Sequence, residues 1–259
     1  MHVLPRAAEI VQNYDTGVTL RQLFYRLVSD GTLRNTQAEY NQLSNRTAEA
    51  RREGWFPELV DRNRRIVQPY SYSSPEEALE ELRDDFRRDR TEGQPYSLYL
   101  AVEKAGLVEQ LRVWFGDELG IPILPLGGYS SETFEREVNA HLHRYGRPAV
   151  LLYAGDLDPS GEDIERNFLE RTNFDTSEKI ALTRLQAIEH DLPPMPGKRE
   201  DTRSGGFIEK YGELFQIEVD ALPPDVLRGL FAKAIEPYWD DAVYEAVLER
   251  EELEREQLA

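Results

Sequence analysis

The 259-residue sequence predicts an α/β fold, a central parallel sheet flanked by helices, behind a smaller helical N-terminal domain. Three observations carry this. From residue 96 onward, short apolar runs alternate with amphipathic stretches, the pattern of a parallel sheet covered by helices. Before residue 70 the periodicity is helical and is punctuated by Gly and Pro. Charge divides the chain in the same region: residues 1–70 hold ten Arg against eight Asp or Glu (+2), and the remainder holds 21 basic against 41 acidic residues (−20).

Bulk properties remove several function classes. No apolar run approaches the ~18 residues of a membrane helix, and MHVLPRAAEIVQNYD lacks the apolar centre of a signal peptide. With no cysteine there is no disulfide and no thiolate metal site, which fits a reducing cytoplasm. Four scattered histidines do not make a zinc centre. The net charge of −18 argues against nucleic acid as a partner for the whole chain, but the Arg-rich first domain escapes that argument.

In order, the first domain (residues 1–72) reads as a helix near 5–14, a second from Thr19 to about Asp30 and a third from about Thr36 to Glu53, ended by Gly54-Trp55-Phe56-Pro57. RIVQPYSY then reads as an extended wing. Two helices at a short turn plus a wing give a winged helix-turn-helix expectation. Residues 73–95 are almost entirely charged and read as a solvated helix and linker. The third region, 96–259, supplies strands SLYLAV, IPILPL and PAVLLYAG, each followed by a helix, with KIALTRL as a fourth strand near 179–185 and two closing helices.

The chemistry concentrates at strand ends. Glu103 closes SLYLAVEK, and Asp156 and Asp158 follow PAVLLYAG in YAGDLDPSGEDI. Residues i and i+2 of an extended segment share a side, so both aspartates can face one ligand. Carboxylates held together repel unless a cation stands between them. Three carboxylates without His or Cys suit a hard, oxygen-seeking ion, Mg2+ above all. The competing reading is turn chemistry, with Ser160 as the N-cap of the next helix.

A glutamate after one strand and DxD after a later one closely resembles the TOPRIM fold of topoisomerases, primases and certain nucleases. The resemblance implies that Glu103, Asp156 and Asp158 are metal-binding acids beside a phosphodiester. A second motif lies in TLRQLFYRLVSDG, where Leu20, Leu23, Phe24, Leu27 and Val28 form one stripe and Tyr25 sits roughly 130° from its centre. Arg21-Gln22-Leu23-Phe24-Tyr25 resembles the Arg-x-x-aromatic-Tyr motif of the topoisomerase VI A subunit and its meiotic double-strand-break relative. In that family the tyrosine attacks DNA. The domain order agrees, and QIEVDAL is similar to the family's closing strand.

The resemblance implies Mg2+-dependent cleavage of double-stranded DNA by transesterification, with Tyr25 as nucleophile, Arg21 beside it, and a homodimer whose partner subunit supplies the tyrosine. The family's N-terminal segment, which engages an ATPase partner, has no counterpart before Tyr25, so a stand-alone or differently partnered enzyme is expected. DNA phosphates would be held by Arg26 and by Asn45, Arg46, Arg51 and Arg52 of the third helix, with Gln42 beside them and Tyr40, Leu43, Thr47 and Ala50 facing inward. Arg62, Arg64 and Arg65 would contribute from the wing. Three alternatives stand: a hydrolytic TOPRIM nuclease with no covalent intermediate, a non-catalytic DNA-binding protein, and an RNA-processing or primase-like role.

Overall fold

A computed structural model of the chain describes residues 3–14, 17–61, 66, 68–197 and 203–258. Four strands form a parallel sheet in the order β2-β1-β3-β4: β1 (Ser97–Val102), β2 (Ile123–Pro125), β3 (Ala149–Ala154) and β4 (Thr176–Ala181). Every residue of β1 and β3 is buried, because a parallel strand with helices on both faces has no wet side.

Alternate residues feed two cores. Leu98, Leu100 and Val102 join Val150 and Leu152 on one face. Tyr99, Ala101, Leu151 and Tyr153 fill the other. The first face is covered by Leu107 and Leu111 of α5 (Ala105–Leu111) and by Leu227 and Phe231 of a helix at Pro224–Ile235. The second is covered by Val138 and Leu142 of Glu132–His143 and by Ile164 and Phe168 of Pro159–Arg171. Helix α5 continues through one π turn (Arg112–Gly116) into α6 (Asp117–Leu119), so the expected helix over 104–119 is present with a bulge in its middle.

β4 begins three residues before the expected position. It is an edge strand bonded only to β3, and its first four residues, TSEK, alternate between exposed and half-buried. The apolar signal therefore appears only at its end.

Ahead of the sheet, α1 (Val3–Gln12), α2 (Leu20–Ser29) and α3 (Gln37–Arg52) share a separate core of Ile10, Leu23, Phe24, Leu27, Leu43 and Phe56. Thr19 caps α2 in a reciprocal box with Gln22, and Thr36 caps α3. The expected wing is not formed as a strand: residues 66 and 68–72 carry no sheet pairing among the described residues, and Tyr70 and Tyr72 are exposed. The helices at Pro75–Asp85 (α4), Glu132–His143 (α7) and Pro159–Arg171 (α8) stand where expected, and α4 buries no residue.

The charged stretch after α4 is not a loose linker. Arg88 pairs with Glu254, and Arg90 pairs with Glu251, both of the closing helix at Asp241–Glu256. The small helices Arg184–Glu189 (α9) and Ser204–Tyr211 (α10), with an antiparallel pair, β5 (Met195–Pro196) and β6 (Phe215–Gln216), lead back to the sheet edge. Helices α11 (Pro224–Ile235) and α12 (Asp241–Glu256) close the chain.

Candidate active site at the carboxyl edge of the sheet

Register brings the first two acids together. Val102 pairs with Ala154, so Glu103 and Asp156 leave adjacent strands at the same edge, where functional groups of open parallel sheets collect. The Glu103 Oε2 accepts from the Asp156 backbone N–H at 3.0 Å. Gly161 explains the glycine of DPSG: a Cβ there would lie 2.4 Å from the Asp156 carbonyl oxygen and 3.2 Å from Glu103 Oε2.

Asp158 is turned to another task. It, and not Ser160, is the N-cap of α8, its Oδ1 accepting from the Gly161 N–H at 2.7 Å, and Pro159 occupies the first helical position. The two aspartates therefore do not act side by side: Asp158 caps α8, and Asp156 engages Lys104 and the Val219 N–H. Leu157 between them is buried and exchanges two backbone hydrogen bonds with Ile217.

That exchange delivers two acids the sequence reading passed over. Residues 217–221 run along the site, and a 3-10 turn at Val219–Ala221 donates its Val219 N–H to Asp156 Oδ1 at 3.0 Å. Glu218 and Asp220 therefore join Glu103 and Asp156. The alternation of acids and apolar residues in IEVDA was a usable signal, since it places one acidic and one apolar side on an extended piece.

The cation standing among the acids is Lys104. Its Nζ lies 2.5 Å from Asp156 Oδ2 and 2.6 Å from Glu218 Oε2. Lys179 adds a longer contact, 3.4 Å, to the Asp156 carbonyl. Burial disfavours the Lys104 ammonium, but the two carboxylates outweigh it and hold its pKa above the ordinary lysine range. Burial, then Glu103, pushes Asp156 well above the usual carboxylate range, and burial raises Glu103 as well. Asp220 is buried, its Oδ1 has no hydrogen-bond partner, and its pKa is pushed up to about 6.

Four carboxylates around one ammonium leave the edge short of positive charge. An all-oxygen donor set with a bare buried Oδ1 is chemistry that suits a hard divalent cation. In the arrangement described, no three His, Cys, Asp or Glu side chains lie close enough together to hold a metal ion, among the described residues. Lys104 fills the space between the acids.

Tyr25 comes to this cluster within the same chain. The 3-10 turn packs on α2, where Arg26 Nη1 donates to the Ala221 carbonyl at 2.6 Å and Gln22 Nε2 reaches the Gly106 carbonyl at 3.5 Å. Between those anchors Arg21 Nη2 lies 3.5 Å from the Tyr25 hydroxyl, with the guanidinium 5.5 Å from the ring centre, and Glu218 and Lys104 are near enough to act on the phenol electrostatically. The ring is half-buried and edge-on to Phe24, not the surface group its helical phase suggested, because the turn covers the polar side of α2. Burial, then Glu218, raises the phenol pKa, with Arg21 and Lys104 opposing.

No family model matches this chain, and no curated protein matches it.

The expected DNA contacts divide. Arg26, expected as a phosphate contact, donates to the Ala221 carbonyl and tethers the two parts of the chain. On α3, Leu43, Thr47 and Ala50 are buried and Tyr40 half-buried, as the periodicity required. Gln42, Asn45 and Arg52 are exposed, and Arg46 is half-exposed. Arg51 is half-buried against the Thr47 carbonyl and Glu58. Arg62, Arg64 and Arg65 lie outside the described residues.

Proposed function

We propose that this protein cleaves double-stranded DNA by tyrosine transesterification, with Tyr25 attacking a phosphodiester to give a phosphotyrosyl link and a free 3′ hydroxyl. One observation carries the reading: the helix bearing Arg21 and Tyr25 is fastened by Arg26 to the turn that follows Glu218, and Glu218 pairs with Lys104, which pairs with Asp156 beside Glu103. Tyrosine is a poor nucleophile at its ordinary pKa of about 10. A neighbouring base and cations able to take up phosphate charge are what such a reaction requires.

The residues have separable roles. Arg21 orients the phenol and supplies positive charge to the attacked phosphate. Lys104, on the other side of Glu218, does the same when a phosphate enters. Gln42, Asn45, Arg46 and Arg52 of α3 hold flanking phosphates, a contact that positions a duplex without reading its sequence. The resemblance assigns Mg2+ to Glu103, Asp156 and Asp158, but Asp158 caps α8 and Lys104 stands on Asp156, so the arrangement described does not fit the ion and no step is routed through it. Two copies acting on opposite strands make a double-strand break, so a homodimer belongs to this reading.

The test is to incubate the protein with supercoiled DNA and Mg2+, quench in detergent, and compare samples with and without protease. The wild-type chain is expected to yield DNA bound to protein until protease releases it. Tyr25→Phe is expected to lose the linked species while keeping DNA binding. Cleavage that survives the substitution and leaves no attached protein assigns the site to a hydrolytic nuclease. Binding with no cleavage under any condition assigns it to a non-catalytic DNA-binding protein.

A further inference from the structure

We infer that the cavity between the N-terminal helices and the start of α11 binds a nucleoside phosphate. The inference stands apart from the cleavage reading, since it uses neither Tyr25 nor the acids at the sheet edge. The cavity has a volume of about 430 Å³ and is bounded by α1 and α2 on one side and by the π turn and the first residues of α11 on the other. That size lies in the range of small-molecule sites, which favour the seams between structural units. Arg26 lines it while holding the Ala221 carbonyl at 2.6 Å, so a ligand there would sit against the bond that joins the two parts of the chain.

Three guanidiniums line the cavity, those of Arg6, Arg26 and Arg228. Arg6 is already offset, by Asp30 at 2.9 Å and Glu9 at 3.2 Å. The other two are not. Half-buried Arg26 bonds to a neutral carbonyl and pairs with no carboxylate among the described residues. Exposed Arg228 has neither a hydrogen-bond nor an ion-pair partner among them. In a chain of 49 acids and 31 bases, two guanidiniums without a counter-ion at one cavity call for an anion from outside. Phosphate suits them, because its oxygens match the guanidinium fork.

The rest of the lining separates a nucleotide from a bare phosphate. Half-buried Tyr14 and buried Trp114 give the cavity aromatic walls for a base. Trp114 is carried by the π turn, an irregularity that recurs at functional sites. Asp225 is exposed and unpaired among the described residues. Beside a lone anion it would only repel. Beside a nucleotide it can accept from ribose hydroxyls, as an acidic residue does in dinucleotide sites.

Isothermal titration calorimetry of the full chain in EDTA tests this with ATP, GTP, CTP, UTP and inorganic phosphate. At least one nucleotide is expected to bind about tenfold more tightly than phosphate, and to raise the melting temperature as a ligand of the folded state does. Arg228→Glu is expected to weaken that nucleotide by about tenfold or more. Arg228→Gln carries the same test should the charge reversal unfold the chain. Arg136→Glu, an equal charge change on α7, is expected to leave binding unchanged. Asp225→Ala is expected to weaken the nucleotide and not phosphate. Melting of the unliganded variants reports that each is folded. No nucleotide binding, an affinity equal to that of phosphate, the same loss in the Arg228 and Arg136 variants, or tighter nucleotide binding by Asp225→Ala each overturns the inference. None of these outcomes bears on adduct formation, so the cleavage reading stands or falls separately.

Discussion

Lys104 reaches two carboxylates from the end of β1, and its position answers a question posed by the sequence, namely what offsets clustered acids. One ammonium offsets one charge, so part of the burden falls on Asp220, which is buried with its Oδ1 unpartnered. Burial raises its pKa from 3.8 to about 6, partly relieved by Lys104. For an acid raised in the folded state, the stabilising contribution is fully present below the unfolded value of about 3.9 and is lost as pH rises through about 6. Asp220→Asn, which mimics the protonated form, is therefore expected to match the wild type near pH 4 and exceed it at pH 7. The displacement corresponds to at most about 3 kcal/mol. Urea midpoints at a series of pH values check this, and parallel curves for the two proteins would refute it.

At the scale of elements, the junction of β3 with α8 is set by close approach. Gly161 lies in the first turn of α8, and its missing Cβ leaves room for the Asp156 carbonyl and the Glu103 carboxylate. A methyl group 2.4 Å from a backbone oxygen must displace the helix start, since that neighbour is no flexible side-chain tip. Gly161→Ala is expected to cost about 1–3 kcal/mol, the range for overpacking, and to weaken adduct formation by shifting the Asp158 cap. Denaturant unfolding alongside the cleavage assay measures both effects, and an unchanged midpoint would show that α8 moves freely. A second junction was hidden by composition. Residues 86–95 look like solvated charge, yet Arg88 and Arg90 hold α12 through Glu254 and Glu251, and burial of Glu251 makes that clamp part of the core's edge.

For the whole molecule, the decisive feature is that α2 docks on the 3-10 turn after β6 in its own chain. The family resemblance implies a tyrosine supplied by a partner subunit. Here Arg26 fastens the helix carrying Tyr25 to the turn that follows Glu218 in the same chain. Co-expressing Tyr25→Phe with Glu103→Gln distinguishes the two arrangements. A site built within each protomer leaves every site defective, so no adduct is expected from the mixture. A site shared between protomers would regain one intact centre and restore the adduct.

Much of this fold was legible from residues. Thr19 and Thr36 announced their helices through cap chemistry acting over three residues, and SLYLAV and PAVLLY announced strands by unbroken apolarity. Glu103 and Asp156 were identifiable because a parallel sheet aligns its strand ends. Less local facts were not. Asp158 as a cap depended on Pro159 starting the helix two residues earlier than a Ser160 cap would allow. The wing was expected from β propensity, but a strand needs a hydrogen-bonded neighbour, and none is paired with the described residues there.

Sequence alone determined the alternation of strands and helices and which strand ends carry acids, because each is written in contacts between residues a few positions apart. Tertiary structure decided the arrival of Glu218 and Asp220, the direction taken by Lys104, and the use of Arg26 as a tether. Those outcomes depend on pairings across 63 residues for Asp156 with Val219 and 195 for Arg26 with Ala221, separations over which local periodicity carries no information.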